Sequence, residues 1–435
     1  MGGNDAKKSG FRPYKRFLLS LGGLSSAVES LFVLFGYAYL RTALPPYLAA
    51  LIAVIAAAAA IALVPAMHAT VNRVRSLTLG RYHGMLVLAS VLAPVACSFL
   101  FNIDFGGSAV YRALAAAVSL FLLFLSVQTF SYAAYSIGTG ATDGRIQPAL
   151  GYVMNGLGVA IVVVLGFFYF YYGEEDGLGR MAYLIGGLTA LSGLAVYFST
   201  FSLIPKFIHT EPALFGLRED YRRFFVRPFP VAALYLGRYF FTAALLTVAM
   251  YAAVLLCGVL GCDSFLFKSA IAAAAVCGVA VRVLVRAQSP AGLRTSAVAA
   301  FVLLGCAVCA VWVLPYFKIG AVSDVYTVIA CAVAAGCAYG LVSVAQNGYM
   351  AGALSLTGAS RGTHKCMTGI LTCGAAGTAF FVCGLLDCLQ LYKASVYAVF
   401  VTFSAVCVLF MALGLHFSEK GMRFAVLYGR PETDA

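Results

Sequence analysis

Charge is what this chain has least of. Lys, Arg, Asp and Glu together make up 10% of its 435 residues, and only 16 of those are acids. Soluble domains carry about 25% charged residues, so this chain cannot cover a water-facing surface. Lipid can solvate such an exterior, and 62% of the residues are hydrophobic. Catalytic signatures are missing as well. There is no phosphate loop, no HExxH and no convincing catalytic triad, and Gly186–Gly187 falls inside an apolar segment, where it reads as helix packing. The chain is therefore expected not to be an enzyme, and to hold no cofactor and no metal. A signal-peptide cleavage pattern is absent too. The polar, basic start, with Lys7, Lys8, Arg12, Lys15 and Arg16, leads straight into a segment of full spanning length, read as an uncleaved first span.

What is present is a series of long apolar runs. A spanning helix needs about 20 mostly apolar residues. That template finds twelve: 17–40, 44–67, 84–103, 110–135, 148–171 and 181–203, then 231–258, 267–286, 295–316, 323–345, 367–386 and 394–416. The polar segment 204–230 separates six from six. The expected organisation is a tail at 1–16, an N-terminal six-helix bundle at 17–203, a connector at 204–230, a C-terminal bundle at 231–416 and a tail at 417–435. Alternate loops are basic. One set holds Arg73, Arg75 and Arg81, then Arg145, Lys206 and Arg227, then Arg282, Arg286, Arg294, Arg361 and Lys365. The other holds single cations such as Arg41, Arg112 and Lys393, with the acidic Glu174, Glu175 and Asp176. Lys and Arg are retained on the cytoplasmic side, so both termini are expected there, in a cytoplasmic (inner) membrane. The formal charge of +13 is explained by these loops, and no nucleic-acid partner is expected.

The 13 cysteines mostly sit within apolar runs, where a thiol behaves as a small buried hydrophobe. Cys306 and Cys309 have CxxC spacing but no companion ligands. Cys257, Cys262, Cys383 and Cys388 lie near outer span ends, where bridging remains open.

Ionisable groups inside a span are costly and are candidates for function. Glu29 lies near the centre of the first span, and Gly22, Ser25 and Ser26 precede it on one helical face. The group is read as lining a cavity, with Glu29 taking hydrogen bonds from a solute or exchanging a proton. A protonated Glu bonded to a neighbouring helix is the alternative. Arg238, about two turns into the seventh span, either snorkels to the interface, pairs with Glu29 or holds an anionic solute. Gln128 offers neutral hydrogen-bonding groups with Ser131 and Tyr132. Asn155, between Gly151 and Gly158, marks a site where another helix can come close. His68 and His83 are read as interface residues rather than a metal pair, and the aromatic run 167–172 as a membrane belt.

Four short motifs carry a resemblance. Pro65-x-Met67 is followed by Val71-Asn72, Arg75-Ser76 and Gly80-Arg81-Tyr82; Asp143-Gly144-Arg145 precedes Leu150-Gly151-Tyr152; then come Arg227-Pro228-Phe229 and Thr357-Gly358 with Arg361-Gly362. In this order they resemble the loops of the glycoside–pentoside–hexuronide cation symporters, the melibiose-carrier-like branch of the major facilitator superfamily. The resemblance implies an all-α fold of twelve transmembrane helices in two six-helix bundles. It also implies alternating-access transport of a small polar solute, sugar- or glycoside-like. The cytoplasmic gate loops would include Arg73, Arg75, Gly80, Arg81, Asp143, Arg145, Thr357, Gly358 and Arg361. Partners would be a small-molecule substrate, the bilayer and protons, with the chain a monomer. The departures bear on coupling. Where the family places paired acids in span two, this chain reads Ala56 to Ala60, and the family's acids of spans four and ten and its span-eleven lysine are replaced near Phe130, Gly352 and Ala375. Sodium coupling is therefore not expected. A non-transporting scaffold or sensor on a degenerate carrier fold is the alternative reading.

Overall fold

The computed structural model describes residues 17–18, 21–73, 80, 82–103, 107–141, 154, 156–165, 177–204, 229–255, 264–285, 289–317, 321–357, 361–391 and 396–428. In chain order the helices are α1 (Leu21–Ala43), α2 (Pro46–Arg73), α3 (His83–Leu100), α4 (Ala109–Ala141), α5 (Gly156–Leu165) and α6 (Gly177–Thr200). The second set is α7 (Phe229–Ala253), α8 (Ser264–Leu284), α9 (Pro290–Phe317), α10 (Ala321–Thr357), α11 (Arg361–Leu391) and α12 (Val396–Tyr428). Among the described residues, eleven are long and apolar enough to cross a bilayer, and α5 is shorter over its described part. The expected connector 204–230 lies almost wholly outside the described residues, as do the aromatic run 167–172 and the acids that follow it.

The radial pattern is that of a protein dissolved in lipid. On α6 the inward face is Ala182, Ile185, Thr189, Ser192 and Val196, while Tyr183, Leu184, Leu191 and Phe198 stand exposed. An apolar exterior of that kind would associate in water and is stable only against acyl chains. The chain is a polytopic helical membrane protein.

Small residues set how closely the helices approach, because lipid tails give apolar side chains no reason to cluster and packing must supply it. A Cβ on Gly336 of α10 would fall on the Ala274 carbonyl of α8, and one on Gly340 would stand 2.7 Å from the Gly278 oxygen. On α6, a Cβ at Gly186 would stand 2.5 Å from Pro94 of α3. The first six helices pack mainly on one another, as do the last six; α2 against α11 is the principal contact between the sets, with α1 against α7 and α4 against α11.

The α2–α11 seam explains the missing acids of span two. Ala50 and Ala57 of α2 lie against Gly384 and Gly377 of α11, where added Cβ atoms would stand 2.4 and 2.8 Å away. Ala53, Ala56 and Ala60 are buried in the same helix. A carboxylate pair has no room on a face that a second backbone occupies. Cys383 and Cys388 are both free thiols in α11, while Cys257 and Cys262 lie outside the described residues.

Candidate functional site

The site begins with α1, which is not one regular helix. A 3₁₀ turn over Leu21–Ser25 leads into Ser26–Leu31, and a π-type turn over Phe32–Gly36 precedes Tyr37–Ala43. Such π turns are often found at functional positions. Glu29 sits in the short regular stretch between the two irregularities. Ala27 and Val28 are fully buried, yet Glu29 is exposed. Lys365 and Cys373 of α11 nevertheless lie within its electrostatic reach. The Glu29 carboxylate is thus accessible at the protein surface and lies in the field of the opposite half. Among the described residues the Glu29 carboxylate makes no hydrogen bond or ion pair.

The rest of the expected stripe behaves differently. Gly22 is buried, and a Cβ there would stand 3.2 Å from Val196 of α6; Ser26 Oγ lies where a Cβ on Gly158 of α5 would go. Ser25 Oγ donates to the Gly22 carbonyl at 2.9 Å. These small residues bring α1 close to α5 and α6. Gly158 accepts a close neighbour as its position suggested, while Asn155 lies outside the described residues.

Arg238 of α7 is partly buried and lies within the fields of Tyr235, Arg282, Tyr339, His364 and Lys365. It forms no ion pair with Glu29. Lys365, not Arg238, is the cation that acts on that carboxylate. Lys365 has its Nζ 5.6 Å from the centroid of the Tyr135 ring on α4, and Tyr235 Oη lies 2.9 Å from His364 Nδ1. Gln128 of α4 packs on α11, where a Cβ on Gly369 would stand 2.8 Å from its Oε1. His68 of α2 stacks on Tyr132 with centroids 3.9 Å apart, and it too lies in the field of Lys365. The Gln128 backbone is beside the His68 ring, but neither ring nitrogen meets hydrogen-bond geometry with a described residue. His83 instead faces Thr200 of α6, Nε2 to Oγ1 2.9 Å. Both histidines are buried, and no group of three metal-ligating side chains occurs among the described residues.

Past Glu29 the passage is filled with rings. Phe32 meets Phe124 of α4 at 5.5 Å and Phe380 of α11 at 5.4 Å, and Tyr37 meets Phe380 at 5.8 Å. Beyond the rings lies a buried ionic knot. Asp387 of α11, 1% exposed, accepts from Tyr37 Oη at 2.7 Å and from Tyr251 Oη of α7 at 3.2 Å. Arg41 Nε stands 2.9 Å from the same carboxylate, and Arg41 Nη2 donates to Gln390 Oε1 at 3.4 Å. Tyr37 and Arg41 belong to the first six helices, Asp387, Gln390 and Tyr251 to the last six. One end of the bundle is thus tied shut across the halves.

Sequence reading missed Asp387, Arg41 and Lys365. A span at 367–386 leaves Lys365 two residues and Asp387 one residue outside it, and Arg41 and Lys365 then read as loop cations. Helix α11 in fact runs from Arg361 to Leu391. The available signal was the lone acid in Cys383-Gly384-Leu385-Leu386-Asp387-Cys388-Leu389.

Of the expected gate loops, Gly80 is described. Its φ of 67° is left-handed, and a Cβ there would stand 3.0 Å from His83 Nδ1. Gly80→Ala should cost roughly 1–2 kcal/mol from backbone conformation, read as a lowered melting temperature of the purified protein. Arg75, Arg81, Asp143, Arg145 and Gly358 lie outside the described residues, as do the side chains of Arg73, Thr357 and Arg361.

No protein-family model and no curated protein matches the sequence. Solved structures do match in three dimensions. A bacterial homologue of the iron transporter ferroportin, outward-facing, superposes with TM-score 0.61 at 15% identity, covering 94% of this chain and 100% of that one. A nucleoside transporter gives 0.63 at 11% identity, over 95% and 99% of the two chains. A proton:xylose symporter of the major facilitator superfamily gives 0.62 at 12% identity, over 95% of each. The chain has the fold of that superfamily.

Proposed function

We propose that the protein is a transporter that moves a small polar solute by alternating access, the solute binding between the halves beside Glu29, Gln128, Arg238 and Lys365. The observation that carries this reading is the combination of a carboxylate in the first span that has no partner among the described residues with a polar knot joining the halves at one end. A scaffold needs neither a charged interior without partners nor a closure made of interactions that water can replace. Leaving Glu29 inside a span costs about 2.5–3.5 kcal/mol for such a group at a helix centre, a cost that makes sense where a solute supplies the missing partner. The Asp387 end corresponds to the outer face in the orientation that the basic loops indicate.

The titles of the matched structures name iron, nucleoside and xylose, so the shared fold leaves the solute to be read from the pocket. Sugar-like chemistry remains the inference from the symporter resemblance. Asn155 remains a proposed contributor from α5. For coupling, protons through Glu29 and uncoupled facilitation are both compatible with the site. Sodium is disfavoured, since span two offers no carboxylate to ligate it.

Thermal-shift screening of sugars, amino acids, nucleosides and organic anions, followed by proteoliposome uptake of whatever stabilises the protein, tests the reading. Glu29→Gln should lower uptake roughly tenfold to a hundredfold, the worth of a hydrogen bond to a charged group. A sodium gradient should leave uptake unchanged. A solute that binds but never enters the vesicles would favour the scaffold instead.

A further inference from the structure

We propose that His68 is a proton-binding switch at the inner end of the α2–α11 seam, neutral while α11 lies against α2 and α4 and charged once α11 draws away. This rests on the alternating-access reading and adds a control that neither Glu29 nor the Asp387 knot supplies. His68 is 1% exposed, and among the described residues neither of its ring nitrogens has a hydrogen-bond partner. Buried polar atoms in folded proteins are nearly always bonded, so two orphaned nitrogens on one ring are an exception that calls for a cause.

Packing fixes the place of the ring. It lies flat on Tyr132 of α4, with centroids 3.9 Å apart and planes 15° from parallel. The seam sets its level. Gly384, Gly377 and Gly374 of α11 lie against Ala50, Ala57 and Ile61 of α2 in turn, so the two helices run antiparallel in constant register. Two further turns of that register carry His68 to the level of Lys365–Met367. Lys365 meets the first six helices at the same level, its Nζ 5.6 Å from the centroid of Tyr135, which stands one helical turn from Tyr132 on α4. The titratable and charged groups around His68 are thus Tyr132 and Tyr135 of α4 and Lys365 of α11, with the Gln128 backbone beside the ring. Among the described residues none of these is an acid. An imidazolium here would be a buried charge without an anion and with a second cation beside it. Buried charges persist only when paired, so the ring stays neutral while α11 covers it.

Separation of α11 from α2 and α4 reverses each condition. Water reaches both nitrogens and Lys365 leaves with α11, whereas Tyr132 stays beside His68 because α2 and α4 pack on each other within the first six helices. A hydrated histidine titrates near about pH 6.5. A proton therefore binds the parted form in preference to the packed one, and a ligand that binds one of two states shifts the balance toward it. The packed form is fully favoured above about pH 6.5 and loses ground as the pH falls below that value. From about pH 7.5 to about pH 5.5 the ratio of parted to packed forms should rise about tenfold.

Hydrogen–deuterium exchange of the purified full-length chain at those two pH values, with labelling times scaled to cancel the intrinsic pH dependence of exchange, tests the switch. Peptides covering 61–70 and 361–370 should exchange faster at the lower pH, by up to about tenfold. In His68→Gln, whose side chain is polar but takes no proton, the two pH values should give the same exchange. His364→Gln should keep the wild-type response, because His364 is bonded to Tyr235 within the last six helices. Melting temperatures at the higher pH show whether each variant is folded, and His68→Asn serves if His68→Gln is not. A flat wild-type response overturns the proposal whatever the variants do. So does a response that His68→Gln retains or that His364→Gln abolishes. If Asp387→Ala shows reciprocal exchange at the two ends while acid acts equally on wild type and His68→Gln, alternating access stands without this switch. If acid loosens 61–70 and 361–370 through His68 while peptides covering 37–50 and 380–391 do not slow, the switch stands and alternating access does not.

Discussion

Asp387→Ala should open the end of the bundle that it now ties shut. The substitution removes the acceptor of Tyr37, Tyr251 and Arg41 together, and leaves two buried hydroxyls and a guanidinium without it. Breaking a buried pair by deleting one partner costs about 3–5 kcal/mol. Arg41 is 34% exposed and can reach water, so the lower figure applies, roughly a hundredfold in the balance between closed and open forms. Hydrogen–deuterium exchange reads the outcome. Peptides covering 37–50 and 380–391 should exchange faster, and those covering 128–137 and 361–370 should exchange more slowly as the opposite end tightens. That reciprocity is the signature of alternating access. Faster exchange at the Asp387 end alone would mean local loosening, and the transporter reading would lose its main support. Arg41→Lys keeps the charge but not the fork, and should fall between wild type and Asp387→Ala.

The second large effect is structural. Gly336→Val should prevent recovery of folded protein. Even an alanine Cβ at this position would fall on the Ala274 carbonyl, and the Ala274 Cα would be 2.7 Å from it. Neither atom belongs to a side chain that can turn away, so α8 and α10 must separate along the crossing formed by Gly278, Gly336 and Gly340. Overpacking a well-packed site costs about 1–3 kcal/mol for modest insertions, and valine exceeds that because its branches follow the Cβ into the backbone. Size-exclusion chromatography in detergent should show aggregate where wild type gives a single peak. Gly305→Ala is the matched control. Nothing lies within 4 Å of a Cβ there, so the change should be neutral or stabilise by about 0.5–1 kcal/mol. If Gly336→Val and Gly305→Ala behaved alike, the close crossing of α8 and α10 would be wrong.

The residues of the proposed site were legible in unequal measure. Glu29 could be found because a carboxylate in the middle of an apolar run has no other local explanation. Gln128 and Arg238 stand out for the same reason, though Arg238 lies in the fields of Lys365 and His364 and not of Glu29. Asp387 and Lys365 escaped because each lies near an end of α11, where polar residues lower the hydropathy that marks a span. A helix does not stop where its hydropathy falls; it stops where its backbone hydrogen bonds do. Helix α12 makes the same point, continuing to Tyr428 past the boundary expected at 416, with Glu419 bound to Arg294 of α9 at 2.7 Å.

The amino-acid sequence determined the solvent, the run of membrane-spanning helices and the carboxylate in the first of them. These follow from local composition, because each segment partitions into lipid on its own apolar content. It also determined that sodium ligands are missing from α2. Only the tertiary structure decided why: Ala50 and Ala57 are spent on close contact with Gly384 and Gly377. Tertiary structure alone likewise decided that Tyr37 and Asp387, 350 residues apart, share one hydrogen bond, and that Lys365 rather than Arg238 answers Glu29. Pairing across such separations depends on how helices cross, and crossing is set by small residues whose contacts no single segment specifies.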